Sequence, residues 1–188
     1  LRKILVIATL LLCSLGLTGC GGSSESERAE GEYQKVKLIM TVNGTNIATD
    51  TKTALKFAEL VSEASNGNVV IDVFPNDQLA GGNATKGIEM IADGAVDLAA
   101  YASCTMSVLD EHLLVGTIPW VFDNYQQARA VLDTTGGQYY AKILKPQGIT
   151  YLASAHNGFR QITNSKRAVK NPSDVEGLKI RIPAGEVY

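Results

Sequence analysis

Residues 35–42 read KVKLIMTV, and this stretch decides the fold. Apolar residues occupy every second position, which is typical of a β-strand with one buried face. Thr51–Ser65 follows with a stripe of residues at helical spacing, formed by Ala54, Phe57, Ala58 and Val61. Val69–Phe74 is rich in β-branched residues, as in a mostly buried strand. The pattern predicts two parallel strands joined by a helix.

A second helix, Asn83–Asp93, and a third strand, Val96–Ala102, extend this unit. The chain is therefore predicted to be an α/β protein, with a mostly parallel sheet flanked by helices and connected by right-handed crossovers. Ligands of such sheets bind outside the carboxyl ends of the strands. We expect this edge to gather three loop segments, which are Asn43-Gly44-Thr45, Asn76-Asp77 and Tyr101-Ala102-Ser103.

The region that follows contains the only tryptophan of the chain, Trp120. Core packing is the favoured role for this side chain, because aromatic residues mostly bury area. A place in the wall of a binding cleft is the alternative. Farther along, Tyr125–Asp133 and Gln138–Lys145 are predicted helices separated by the Gly136-Gly137 pair, and Ile149–Ala155 is a predicted strand.

Two later segments each place an arginine in a short apolar stretch. Residues 157–164 read NGFRQITN and contain Arg160, and residues 177–183 read GLKIRIP and contain Arg181. Both segments are predicted strands, because apolar and polar residues alternate in the second and the first leads on from an apolar run. A guanidinium on a strand can bind a carboxylate through two parallel hydrogen bonds. An ordinary surface ion pair is the alternative role for each arginine.

The amino-terminal residues resemble an export signal. Arg2 and Lys3 precede the apolar run Ile4–Leu17, which is too short for a transmembrane helix. Residues 17–20 read LTGC, similar to the bacterial lipoprotein cleavage box, so Cys20 is the expected lipid attachment site. Ordinary signal cleavage near the same glycine is the alternative. Residues 21–31 are polar and are expected to form a flexible tether. The domain plan is a signal at 1–19, a tether at 20–33 and a folded domain at 34–188.

Charge and composition exclude several classes of function. The formal net charge of the 188 residues is −2. Proteins that bind nucleic acid usually carry an excess of basic residues that contact the phosphates, and this chain has no such excess. The two histidines, His112 and His156, lack the spacing of metal ligands. No dinucleotide-binding fingerprint follows the first strand. Cys104 is expected to be a core residue and not a nucleophile. We therefore expect no enzyme, no metal and no cofactor.

The arginine segments resemble a known family. Residues 172–183 read PSDVEGLKIRIP and follow the RQITN of residues 160–164. Together they look like the solute-binding proteins of tripartite ATP-independent periplasmic (TRAP) transporters, of the C4-dicarboxylate-binding type. FPNDQL at residues 74–79 and EMIADGAVDL at residues 89–98 are also similar to that family.

The resemblance implies a lobe of the type II periplasmic-binding-protein kind. Two such α/β lobes would close on a small carboxylate, such as a dicarboxylate or a sugar acid, and deliver it to a TRAP permease. Arg181 would pair with the carboxylate and Arg160 would assist it. Asn43, Ser103 and Trp120 are the further candidate binding residues.

The length implies that residues 34–188 hold only the first lobe, ending near the crossover between lobes, so the chain alone is expected to bind ligand weakly or not at all.

Three alternatives stay open, namely a binding lipoprotein of an ABC importer, a sensory or interaction lipoprotein, and a hydrolase on the same lobe. The hydrolase lacks an evident nucleophile with a paired histidine.

Overall fold

The structure, a computed structural model, describes residues Tyr33–Pro183. The predicted signal, the lipid site at Cys20 and the polar segment at 21–31 lie outside the described residues. Among the helices that the structure describes, none has the length and hydropathy of a membrane span.

The fold begins with alternating strands and helices. The first five elements are β1 (Val36–Val42), α1 (Thr49–Ala64), β2 (Val69–Phe74), α2 (Ala84–Ala92) and β3 (Leu98–Ala100). Three helices follow, α3 (Ser103–Met106), α4 (Tyr125–Val131) and α5 (Gly137–Leu144). Short 3-10 turns lie at Gln78–Ala80, Glu111–Thr117, Lys145–Gln147 and Pro172–Val175. The predicted order of the first five elements is confirmed.

The three strands form a parallel sheet in the order β2-β1-β3. Along β1, Val36 pairs with Val69 of β2, and this register continues to Thr41 and Phe74. On its other side, β1 forms three residue pairs with β3, because β3 has only three residues. The observed β3 is therefore shorter than the predicted strand Val96–Ala102. The central strand therefore has a neighbour on each side, and its carboxyl end lies in the middle of the edge at which open parallel sheets commonly bind ligands.

The core lies between the sheet and α1. Met40 and Val42 of β1 pack with Ile71 of β2 and Ala54 of α1, and Val42 has no exposed surface. Partly buried side chains extend this cluster, namely Leu38, Ala58, Val61, Val73, Leu98 and Ala100. The alternation of residues 36–42 thus produces one face that buries apolar area against a helix stripe.

α1 ends in a left-handed cap. Asn66 and Gly67 have φ values of 52° and 76°. The N–H of Gly67 donates to the carbonyl of Ser62 at 2.8 Å, so a carbonyl of the last turn gains a partner. The chain then turns directly into β2.

A second apolar cluster lies in the α5 region. Leu113, Tyr140 and Leu144 are buried there against partly buried neighbours, including Ile149 and Tyr151. Burial raises the pKa of Tyr140, while hydrogen bonds with Ser103 and with the N–H of Gly116 lower it by smaller amounts.

The break between α4 and α5 is not where the glycine pair predicts it. The irregular residue is Thr134, with φ −126° and ψ −108°, inside a π-helical turn at Leu132–Gly136. Gly136 and Gly137 are themselves helical. Gly137 is needed for close packing, because a Cβ there would lie 2.6 Å from the carbonyl oxygen of Leu132. The glycine pair therefore allows close packing against the preceding turn, and the helix is interrupted at Thr134 instead.

The predicted strands at Ile149–Ala155, 157–164 and 177–183 are wrong for the described structure. These segments are without regular secondary structure, and none joins the sheet of β1, β2 and β3. A strand exists only where a neighbouring strand takes up its backbone hydrogen bonds, and no such neighbour occurs among residues 33–183. Ile162 and Ile182 are exposed in this part of the chain.

Arg167 organises the loop between the two arginine segments. Its Nε donates to the carbonyl of Asp174 at 2.8 Å, and its Nη2 donates to the carbonyl of Glu176. The side-chain oxygen of Asn164 accepts from the backbone N–H of Arg167 at 2.9 Å. This arginine, which the sequence reading did not single out, has a structural role, because its guanidinium bonds to backbone carbonyls.

We expect this loop to loosen in acid. Asp174 accepts the backbone N–H groups of Lys170 and Asn171, both at 2.8 Å, and these hydrogen bonds lower its pKa from the usual 3.8. A lowered folded-state pKa stabilises the loop above the unfolded-state pKa, and this stabilisation is lost as the pH falls through the folded value. The protection of the Lys170 and Asn171 amides, measured relative to their intrinsic exchange rates at each pH, should therefore fall below about pH 3.8. Protection that is equal in the wild type and Asp174→Asn at neutral pH would contradict this.

Candidate functional site

The candidate site lies at the carboxyl end of the sheet, where the loops after β1 and β2 are tied together. The N–H of Asn76 donates to the carbonyl of Gly44 at 2.9 Å, and the N–H of Asp77 donates to the carbonyl of Val42 at 3.0 Å. Asn76 and Asp77 both have left-handed backbones, with φ values of 58° and 50°. Asn and Asp tolerate this conformation better than most residues, so the turn can direct the Asp77 side chain inward.

Asp77 is the centre of a hydrogen-bonded group at this edge. It is only 4% exposed, and its carboxylate accepts from Asn43 Nδ2 at 2.5 Å and from the hydroxyl of Tyr101. The Tyr101 hydroxyl also lies 3.4 Å from Oγ1 of buried Thr41. We call Asn43, Asp77, Tyr101 and Thr41 the edge cluster. The three predicted loop segments therefore do meet at one edge.

Burial and the carboxylate together keep the Tyr101 phenol neutral. Its pKa is raised to about 12, first by burial and then by the hydrogen bond to Asp77, while Thr41 acts in the opposite direction. A neutral phenol has one proton to donate. Donation to Asp77 therefore fixes the direction of this hydrogen bond at physiological pH.

Ser103, two residues beyond Tyr101, has a different partner. Its hydroxyl forms a hydrogen bond with Tyr140 of α5. Tyr140 also accepts from the backbone N–H of Gly116 at 3.1 Å. Of the predicted site residues after the strands, Asn43 lies in the edge cluster and Ser103 lies beside it, in contact with the second apolar cluster.

The favoured core role of Trp120 is wrong. Its side chain is 95% exposed. The residue has φ 61° in a turn in which the N–H of Val121 donates to the carbonyl of Ile118 at 3.3 Å. A left-handed backbone is unusual for a bulky residue and is often found at functional sites. The cleft-wall alternative is the one compatible with this exposure.

Replacing Trp120 by Ala is expected to change the free energy of unfolding by no more than about 0.5 kcal/mol, as for other surface positions. A tryptophan packed in a core would cost about 3–5 kcal/mol on the same truncation. Urea unfolding of the two proteins separates these values. A loss in the higher range would show that Trp120 is packed and would end its candidacy as an exposed cleft residue.

Arg160 lies next to a cluster of aromatic rings. Tyr125, the first residue of α4, has its ring centroid 4.6 Å from that of His156 and 4.7 Å from that of Phe159. The N–H of Gly158 donates to Nδ1 of His156 at 2.9 Å. These contacts hold the Arg160 segment against the start of α4, although the segment is not a strand.

Arg181 lies in the segment without regular secondary structure before Pro183 and is exposed. Within residues 33–183 it makes no ion pair, and neither it nor Trp120 is hydrogen-bonded to the edge cluster. The alternative role of Arg181, a surface ion pair, therefore finds no partner in this part of the chain.

Two further titratable residues, His112 and Cys104, lie outside the edge cluster. His112 bonds to Asp110 at 2.7 Å, and hydrogen bonds from its backbone and side chain lower the pKa of Asp110. Cys104 is half-buried rather than a core residue. No group of three or more His, Cys, Asp or Glu residues that could hold a metal occurs between Tyr33 and Pro183.

Sequence reasoning missed the role of Tyr101 and of Gly87. A Cβ atom on Gly87, in α2, would lie 2.2 Å from the Tyr101 hydroxyl oxygen. The glycine therefore lets α2 approach the edge cluster closely. A glycine inside a predicted helix is the signal that could have indicated such an approach, because glycine weakens a helix unless its small size is needed.

Comparison with known proteins begins with a protein family. The family described as bacterial extracellular solute-binding protein, family 7, matches residues 41–188. This range includes the edge cluster and both arginine segments. It covers well over half of the chain.

Named relatives agree with this match. The chain is 34% identical over 134 residues to a C4-dicarboxylate-binding protein of Bacillus subtilis, covering 71% of this chain and 38% of that protein. It is 33% identical over 128 residues to a 2,3-diketo-L-gulonate-binding periplasmic protein of Escherichia coli, covering 68% of this chain and 38% of the relative. The chain thus spans about two fifths of the length of these relatives.

Solved structures show the same fold. The sugar acid binding protein of Advenella mimigardefordensis, in complex with galactonate, matches with a TM-score of 0.75 at 26% identity, over 83% of this chain and 50% of that one. A TRAP periplasmic solute-binding protein of Polaromonas, bound to D-erythronate, matches with a TM-score of 0.73 at 29% identity, over 81% and 50%. The expected TRAP resemblance and α/β lobe are confirmed, and the chain belongs to family 7 of the bacterial extracellular solute-binding proteins.

Proposed function

We propose that this chain belongs to an extracytoplasmic protein that captures a small carboxylate and delivers it to a TRAP-type membrane permease. The observation that carries the proposal is the family match, which spans residues 41–188 and therefore both arginine segments. The family is one of solute-binding proteins and not of enzymes. Relatives and structural neighbours that bind a dicarboxylate, galactonate and erythronate support a small organic acid as the ligand.

Arg181 is proposed as the main carboxylate ligand, with Arg160 as a second donor. A guanidinium stays charged at any physiological pH and presents paired N–H groups that match a carboxylate. The exposure of Arg181 leaves it accessible to a ligand. The rest of the ligand is proposed to contact Asn43, Ser103 and Trp120. Asn43 would reach it from the sheet edge and Trp120 from its exposed turn.

The proposed location is outside the cytoplasmic membrane, with a lipid anchor on Cys20 and a tether at residues 20–33. An extracytoplasmic location is supported by the periplasmic relatives. A protein with several acyl chains on one cysteine would remain attached to the membrane, whereas a single chain gives only marginal binding. Residues 34–188 are proposed as the first α/β lobe of the binding protein.

A thermal-shift screen of small carboxylates tests this function. It uses the complete gene product that carries this sequence, the Arg181→Ala variant and the matched control Arg129→Ala, which changes an exposed arginine of α4. A ligand that binds only the folded state raises the unfolding temperature. The expected result is an acid that stabilises the wild type and Arg129→Ala but not Arg181→Ala. No shift with any acid, in folded protein, would reject a carboxylate ligand.

A further inference from the structure

The orientation of the Asn43 amide is fixed by Asp77. An ionised carboxylate only accepts hydrogen bonds, so the group that faces it must be the NH₂ of the amide and not its oxygen. Asn43 Nδ2 lies 2.5 Å from Asp77 Oδ2, while the other carboxylate oxygen, Oδ1, is taken by Tyr101. Rotating the amide would bring two oxygens together, so Oδ1 of Asn43 must point away from Asp77.

This outward oxygen is open to solvent. Asn43 Oδ1 accepts no hydrogen bond from residues 33–183. In the same range, no buried side-chain nitrogen or oxygen lacks a hydrogen-bond partner. Since Asn43 is only partly buried, its free acceptor must have access to water. The carboxyl end of the central strand therefore presents a hydrogen-bond acceptor, Asn43 Oδ1, whose orientation is fixed by Asp77.

A negative charge lies directly behind that acceptor. Asp77 is buried, and it has no Lys, Arg or His ion-pair partner within the described residues. Its two side-chain donors, from Asn43 and Tyr101, are neutral groups, and the raised pKa of Tyr101, about 12, keeps the phenol uncharged. Buried charges are screened less by salt than exposed ones. The field of Asp77 therefore reaches a ligand that contacts Asn43.

We infer that Asp77 is a specificity-determining positioning residue, which makes Asn43 accept a hydroxyl of the ligand and disfavours a second carboxylate at that place. This inference rests on the proposed function and narrows its substrate class. The ligand would be a hydroxy monocarboxylic acid, bound by its carboxylate at the arginines and by a hydroxyl at Asn43. A dicarboxylate would bring a like charge toward Asp77, and like charges in contact weaken binding.

The experiment compares two four-carbon acids, erythronate and succinate, by calorimetry on the complete gene product. The test variant is Asp77→Asn, which keeps the side-chain shape and tolerates the left-handed backbone. The matched control is Asp72→Asn on β2, which removes the same charge from an exposed ion pair with Lys37. We expect the wild type and the control to prefer erythronate. In Asp77→Asn this preference over succinate should fall at least tenfold.

The outcomes separate the inference from the proposed function. An equal loss of both affinities in Asp77→Asn, an unchanged preference, or a wild type that prefers succinate would overturn the role of Asp77 while leaving carboxylate binding intact. A wild type that binds no acid in the wider screen would reject both. If Asp77→Asn is not folded, Asn43→Ala gives the decision, because loss of the acceptor should weaken erythronate at least tenfold and succinate less than threefold. Equal weakening of both acids by Asn43→Ala would overturn the inference.

Discussion

Replacing Arg181 by Lys is expected to weaken binding of the small carboxylate at least tenfold, although the positive charge is kept. Lysine is a point charge on a flexible stem, and it lacks the planar pair of N–H donors that match both carboxylate oxygens. Removing one partner of a hydrogen-bonded charge pair that is buried in the complex typically costs about 2–5 kcal/mol, and we expect the pair of Arg181 with its ligand to be buried when the two lobes close. Because lysine keeps the positive charge, it should recover part of this binding free energy. The expected tenfold loss of affinity corresponds to about 1.4 kcal/mol.

Calorimetry on the complete gene product measures this effect, with Arg129→Lys as the control. Arg129 is an exposed arginine in the last turn of α4, so the same chemical change there should leave ligand affinity as it is in the wild type. An affinity of Arg181→Lys within threefold of the wild type would mean that the guanidinium geometry is not used. Arg181 would then be at most a source of charge.

The sheet could be predicted because its signals are local. Residues 36–42 alternate, residues 69–74 are β-branched, and both observed strands match the expected bounds to within one residue. Asn83, expected to start the second helix, is its N-cap and accepts from the N–H of Lys86 at 3.1 Å. Burial of an apolar face and capping of a first turn both depend on residues close in sequence.

The arginine segments could not be predicted in the same way. Alternation at residues 178–182 indicates which side chains share a face, but a strand also needs a partner in space. Among residues 33–183 the partner is absent, so neither segment forms a strand. Trp120 shows a related limit, since its exposure follows from a turn with φ 61° that hydrophobicity alone does not reveal.

The sequence was sufficient to predict where the loops of the candidate site meet, but not which hydrogen bonds their side chains form. The rule that ligands bind at the carboxyl ends of parallel strands correctly brings the loops of Asn43, Asp77 and Tyr101 to one edge. That Asp77 is buried and holds the other two depends on side-chain rotamers and on the left-handed turn at residues 76 and 77. Topology determines which loops meet, and the hydrogen bonds then determine which atoms remain for a ligand.

Replacing Gly87 by Ala is the stability change with the largest expected effect. In an ordinary helix interior this substitution stabilises by roughly 0.5–1 kcal/mol, because glycine is the more flexible residue. Here the new Cβ would lie 2.2 Å from the Tyr101 hydroxyl oxygen, which is held by buried Asp77. Such overpacking typically costs about 1–3 kcal/mol. We therefore expect destabilisation in urea unfolding, and a stabilised variant would show that Tyr101 is free to move.

A double-mutant cycle with Tyr101→Phe identifies the cause. The phenylalanine removes the clashing oxygen, and the nearest remaining atoms, Asp77 Oδ1 and Cζ of residue 101, lie 3.3 Å from the Cβ position, a distance that small shifts can accommodate. Tyr101→Phe alone should cost about 1–3 kcal/mol, because buried Asp77 loses a donor. Adding Gly87→Ala to it should cost nothing further, so the two changes are strongly non-additive. Additive losses would mean that α2 is displaced for another reason, and that Gly87 is not needed to make room for the Tyr101 phenol.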